Sequence, residues 1–128
     1  MVDSTILIDY FRKADKEKSA LVKHSINYNS LYISCVTEFE VINGASPEQL
    51  SFWNNMLKGF TILDLDSRAA RQAAAIVRQL KIKRKSIYKP DLFIAATAMI
   101  YGLTFDTANR RHFEHIEGLN LLSIKHNN

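Results

Sequence analysis

The chain has 128 residues, 17 lysines and arginines against 13 aspartates and glutamates, a net charge of +4 and a pI near 9.3. At 47 % hydrophobic and 23 % charged, it is an ordinary globular composition, long enough for one domain with a real core. No apolar run approaches the roughly 20 residues of a membrane span, no secretory signal is visible, and the lone Cys35 excludes an internal disulfide, which fits a reducing cytoplasm and a packing role.

Met1 to Asp3 reads as a very short strand ending in an acid, with Ser4 or Thr5 capping a helix from Ile6 to about Arg12. Lys13 to Lys18 is a polar connection, Ala20 to Asn27 a second helix, and Leu31 to Ser34 a short β-prone strand. A helix from Val36 to Gly44 follows, and three- and four-residue spacing puts Val36, Phe39, Glu40 and Asn43 on one face. Glu40 is an unusual acid on an apolar face, whereas Glu38 reads as solvent-facing.

Ser46 and Pro47 mark a helix start that continues from Glu48 to Lys58, and Phe60 to Leu63 reads as a strand. Asp66 and Ser67 cap a long helix to about Lys83, burying Ala69, Ala73, Ile76, Val77 and Leu80. Pro90 and Asp91 open an alanine-rich helix that runs to Ile100 and stops at Gly102. Leu103 to Phe105 is a strand, Asp106 to Asn109 a polar loop, Asn109 to Phe113 a short helical turn and Leu121 to Ile124 a last strand before a polar, fraying tail. Short apolar strands alternating with helices predict an α/β fold whose parallel sheet is covered on both faces.

Asp3, Glu40, Asp91, Asp106, Thr107 and Asn109 all fall at strand ends or helix starts beside them, so one pocket can collect them. Clustered carboxylates repel by about 4 kcal/mol per pair at 4 Å and an effective dielectric of 20. Such a cluster persists by taking up protons or binding a cation, and oxygen-only ligands suit magnesium or manganese. The scattered histidines and Cys35 do not make a structural zinc site. Arg78, Lys81, Lys83, Arg84, Lys85 and Lys89 lie before this region and Arg110, Arg111, His112 and His115 after it. A basic surface beside a carboxylate-held ion suits phosphodiester hydrolysis.

Three stretches carry a family resemblance: VDSTILIDYF at Val2 to Phe11, ISCVTEFEVINGA at Ile33 to Ala45, and PDLFIAATAMIYGLTFDTANRRHF at Pro90 to Phe113. Together they resemble PIN-domain proteins, and among them the VapC-type ribonuclease toxins of toxin–antitoxin pairs. The resemblance implies one PIN-like domain over 1–128, a three-layer α/β/α arrangement with a short central parallel sheet of four to five strands. It implies a cytoplasmic, Mg2+-dependent endoribonuclease (Mn2+ serving in its place) that blocks translation, is neutralised by a cognate VapB-like antitoxin and forms a homodimer through the Pro47–Lys58 and Asp66–Lys83 regions. Matched residue by residue, Asp3 and Asp91 are the principal magnesium ligands, Glu40 acts directly or through a neighbour, Asn109 acts through a water and Thr107 orients the others. Asp106 then occupies the strand's last position and is not a ligand. Lys85, Lys89, Arg110 and Arg111 are the expected RNA contacts.

The chain departs from the family pattern in having asparagine at the fourth site position, Thr5 where asparagine is usual, and only two residues ahead of Asp3. The last feature leads to the expectation of an upstream start or a shortened first strand. Competing readings are a catalytically weak PIN domain that binds RNA or an antitoxin, a DNA-cutting nuclease of the same fold, and a phosphotransfer domain. The last is disfavoured because Thr5 stands where the haloacid dehalogenase pattern requires a second aspartate.

Overall fold

The computed structural model describes residues 1–123. Its helices are α1 (Ser4–Arg12), α2 (Ala20–Asn27), α3 (Cys35–Gly44), α4 (Leu50–Leu57), α5 (Ser67–Ile82) and α6 (Lys89–Ile100), with 3-10 turns at Lys16–Lys18 and Arg110–His112. Strands β1 (Tyr32–Ser34) and β2 (Thr61–Leu63) pair in parallel. Ile124 of the predicted last strand and the tail Lys125 to Asn128 lie outside the described residues.

Among the described residues the regular sheet has two strands, short of the four to five expected. The regular ladder is β1 with β2, and the other predicted strands contribute single parallel bridges, Val2 to Asp106 and Phe105 to Leu121. Backbone bonds continue outward from β1: Val2 N–H donates to Tyr32 O at 3.0 Å and Asp106 N–H to Met1 O at 2.9 Å. Phe105 N–H donates to Asn120 O and Leu122 N–H to Phe105 O, both at 2.8 Å. Segments two or three residues long satisfy a few ladder bonds without meeting the length of a strand. Met1 packs against one apolar cluster and Val2 belongs to the other, as alternation along extended chain requires. One cluster joins α5 and α6 with Phe105, Phe113 and Ile116, and the second joins α1 to α4 with Val2 and Ile33.

Asp3, not Ser4 or Thr5, caps α1: its carboxylate accepts the Thr5 N–H, so the helix begins at Ser4. Asp66 caps α5 through Ala69 N–H at 3.0 Å. α4 begins three residues later than the Pro47 signal suggested, because 47–49 form a turn in which Gln49 Oε1 accepts the Ser46 N–H at 3.0 Å. The face assigned to α3 is also corrected. Thr37 and Val41 point inward, while Phe39 is 54 % exposed, Asn43 is exposed and Glu38 is partly buried. α3 carries hydrophobic residues around most of its circumference, so spacing alone does not select the inner face.

α6 is the most enclosed helix: Leu92, Ile94, Ala95, Ala96, Thr97 and Ala98 are all buried. Its small side chains let α5 and the bridged segments approach its backbone. It ends in a Schellman turn, with Leu103 N–H bonded to Ala98 O and Gly102 N–H to Met99 O while Gly102 adopts φ +62°. That turn sends the chain directly back toward the bridge at Phe105 and Asp106.

Candidate active site

Three elements bring their acids to one edge of the fold. Asp3 leaves the first bridged segment and opens α1, Glu40 lies in the middle of α3 and Asp91 in the first turn of α6. Asp3 is only 2 % exposed. Its Oδ1 accepts the Thr5 amide and the Thr5 hydroxyl, and its Oδ2 accepts the Thr107 hydroxyl at 2.6 Å. Burial pushes its pKa above the usual aspartate value, and the Thr107 and Thr5 bonds only partly oppose that rise.

Glu40 accepts the Ser4 hydroxyl at 3.1 Å. Its pKa is raised, first by burial and then by the charges of Asp91 and Asp3, with the Ser4 bond acting against the rise. The three acids therefore share one electrostatic site. Among the described residues, neither Asp3 nor Glu40 has an ion-pair partner. Asp91 Oδ2 meets His112 Nδ1 at 2.9 Å.

Thr107 is the hub of the loop wall. Besides bonding Asp3, its hydroxyl accepts Asn109 N–H at 3.0 Å and lies 3.3 Å from the Thr5 hydroxyl, which accepts Ala108 N–H at 2.9 Å. Asn109 is exposed, held by its backbone, with its amide free toward solvent among the described residues.

Asp106 does not join this cluster. It is 3 % exposed and its Oδ2 bonds His24 Nε2 at 2.7 Å, so the pocket suggested by spacing alone loses one of its six members. Of the basic residues, Lys85, Lys89 and Arg111 are exposed. Arg110 is partly buried and donates to Leu122 O at 2.7 Å, which turns part of its guanidinium to a structural task. Ser4, Thr5 and His112 were not singled out as site residues. Ser4 reads only as a cap, Thr5 as a cap and as a departure from the family pattern, and His112 as one cation in a run.

Asp3, Glu40 and Asp91 form an all-oxygen donor set with excess negative charge, which matches a hard divalent cation in chemistry. Among the described residues, no three His, Cys, Asp or Glu side chains converge closely enough to hold one as they lie. The hydroxyls of Ser4, Thr5 and Thr107 take up acceptor capacity that a cation would otherwise use.

The frame and the carboxylate-lined edge define the class: an α/β protein with an acidic site beyond short parallel strands. The PIN domain model matches residues 1–119, and the chain belongs to the PIN-domain family. It is 33 % identical over 122 residues to Ribonuclease VapC1 of Methanocaldococcus jannaschii, covering 94 % of this chain and 83 % of that protein. It is 32 % identical over 124 residues to the tRNA(fMet)-specific endonuclease VapC of Shigella flexneri, covering 93 % and 92 %. Among solved structures, DNA-bound VapBC from Salmonella typhimurium is similar, with TM-score 0.85, 27 % identity and 95 % of each chain covered.

Proposed function

We propose that this protein is a VapC-type endoribonuclease toxin, a single cytoplasmic PIN domain that uses Mg2+ to cleave RNA and so inhibits translation. A cognate VapB-like antitoxin neutralises it by laying a segment over the carboxylate edge, and the toxin pairs as a homodimer. The reading is supported by the ribonuclease relatives and by the similarity to a VapBC complex. The observation that carries it is that acids from three separate elements face one edge, with Asp3 and Asp91 near enough for their charges to add to the rise that burial causes in the Glu40 pKa.

In this reading Asp3 and Asp91 hold the magnesium ion, with Glu40 beside them and Asn109 acting through a water. A divalent ion there supplies polarisation of the scissile phosphodiester and a more acidic bound water. The chain's own residues do the rest. Thr107 holds the Asp3 carboxylate and Ser4 orients Glu40. Glu40, with its raised proton affinity, accepts a proton from the attacking water. Lys85, Lys89, Arg111 and the remaining donors of Arg110 hold flanking phosphates.

The test is incubation of antitoxin-free protein with total RNA, with magnesium or with EDTA, beside an Asp91→Asn variant. Discrete products that need the metal and fall by about 100-fold or more in the variant are expected. Products that persist undiminished in the variant refute the site. A catalytically weak PIN domain acting as an RNA- or antitoxin-binding module is the second reading, favoured by the hydroxyls that already satisfy both Asp3 oxygens. Unchanged RNA binding with no cleavage by either protein selects it.

A further inference from the structure

A groove of about 320 Å³ opens next to Asp91, between the start of α6 and the Arg110–His112 turn. Lys85, Arg111, His112 and His115 line it above Leu80 and Ile87, with no acid in the lining. His112 ties the groove to the carboxylate site, because the same side chain bonds Asp91 Oδ2 at 2.9 Å. Lys85 and Arg111 are exposed and make no ion pair among the described residues. Tyr88 stands in the lining with 65 % of its surface exposed. An aromatic ring left in water beside four basic side chains contributes little to the core.

The walls are set before any ligand arrives. Gln79 Nε2 donates to His115 O at 2.8 Å and Gln79 Oε1 accepts Glu117 N–H at 3.1 Å, which fastens the 110–117 segment to α5. The opposite wall turns at Arg84, which adopts φ 57° with Lys85 N–H bonded to Leu80 O at 2.9 Å. This is the helix-ending position that favours glycine, and a side chain there costs about 1–2 kcal/mol. The chain bears that strain with an arginine, and the turn delivers Lys85 to the groove.

We infer that this groove is a subsite for a single-stranded stretch of RNA next to the cleavage point, with one base stacked on Tyr88 and its flanking phosphates held by Lys85 and Arg111. Its ligand class follows from its chemistry: a negative backbone matches the unpaired cations, and an exposed ring offers a platform to an unpaired base but not to one inside a duplex. The inference rests on the proposed reading of the adjacent carboxylates as an RNA-handling site, and it adds this groove and Tyr88 as the platform for a base beside that site.

The test is fluorescence anisotropy of the intact protein in EDTA, where nothing is cut, with a short labelled single-stranded RNA and the same sequence as a duplex. Preference for the single strand is expected. Tyr88→Ala weakens single-strand binding about 5- to 150-fold, the loss of one base stack, while Tyr88→Phe retains it. Lys85→Gln and Arg111→Gln each lower the slope of log affinity against log salt by about 0.7. Equal affinity for duplex, equal loss in Tyr88→Ala and Tyr88→Phe, or equally tight binding of polyglutamate overturns the inference. Tyr88-dependent binding without any cleavage in magnesium removes the nuclease reading and leaves the subsite, whereas metal-dependent cleavage with Tyr88→Ala binding normally removes the subsite alone.

Discussion

Thr107→Val removes one hydroxyl and keeps nearly the same shape, so it isolates what that hydroxyl does for Asp3. Thr107 and Asp3 are each 2 % exposed, which keeps bulk water from replacing the lost donor. A hydrogen bond to a charged group contributes about 1.5–3 kcal/mol. The other bond lost, from Asn109 N–H at 3.0 Å, belongs to an exposed residue whose amide water can satisfy. The added methyl returns about 0.8 kcal/mol by burial. The net loss is about 1.5 kcal/mol, or about 6 °C in melting temperature for a chain this size. Thr107→Ser keeps the hydroxyl and loses much less.

The deficit also has a pH signature. Burial already raises the folded Asp3 pKa and the Thr107 bond holds it down, so its removal raises that pKa further. A raised carboxyl pKa leaves stability intact below the unfolded value, about 3.9, and removes it as pH rises through the folded value. The variant therefore matches wild type near pH 3.5 and falls behind toward neutrality. Thermal melts of both proteins in EDTA from pH 3.5 to 7.5 read this directly. A constant difference across that range, or one under about 2 °C at pH 7, refutes an ionised Asp3 that depends on Thr107.

Other outcomes follow from the same geometry. His24→Ala leaves buried Asp106 without its Oδ2 partner, while its Oδ1 already lacks one among the described residues. A loss of about 3 kcal/mol is expected in urea unfolding, and Asp106→Asn in the same background recovers part of it. Should the double variant be no more stable than His24→Ala, the charge is not the cause. Gly102→Ala meets no neighbouring atom within 4 Å yet must hold φ +62°, so it destabilises by about 1 kcal/mol through backbone strain alone, and Gly102→Asn by less. Equal melting temperatures for all three would show that the turn relaxes. In metal-free protein, the raised Asp3 and Glu40 pKa values remove stability as pH rises through them, and magnesium offsets that loss. Melts at neutral pH that do not change with magnesium contradict the proposed ligands.

Much of the frame was legible because it is local. The Asp66 cap, the inward stripe Ala69, Ala73, Ile76 and Leu80, the proline-started α6 and its Gly102 stop each depend on residues within a few positions. Asp3 and Asp91 could be named because a strand end and a helix start are also local properties, and Glu40 because an acid among the apolar residues of its helix stands out locally. Pairings across the chain were not legible. Asp3 meets Thr107 across 104 positions and His24 meets Asp106 across 82, and no periodicity encodes either. Spacing placed Asp106 with the other acids, and only the packing of α2 against the bridged segments drew it to His24.

The inner face of α3 was decided in the same way. Its helix-forming residues determine that a helix forms, but its neighbours determine that Thr37 and Val41 are buried and Phe39 is not. The extent of regular pairing was hidden for a related reason: β-prone composition marks where chain is extended, whereas a regular strand also needs a partner long enough to bond along. Elements and candidate acids are thus properties of short stretches of this sequence. Which hydroxyl holds which carboxylate, and where the basic residues leave an open groove, arise only when distant stretches compete for the same buried volume.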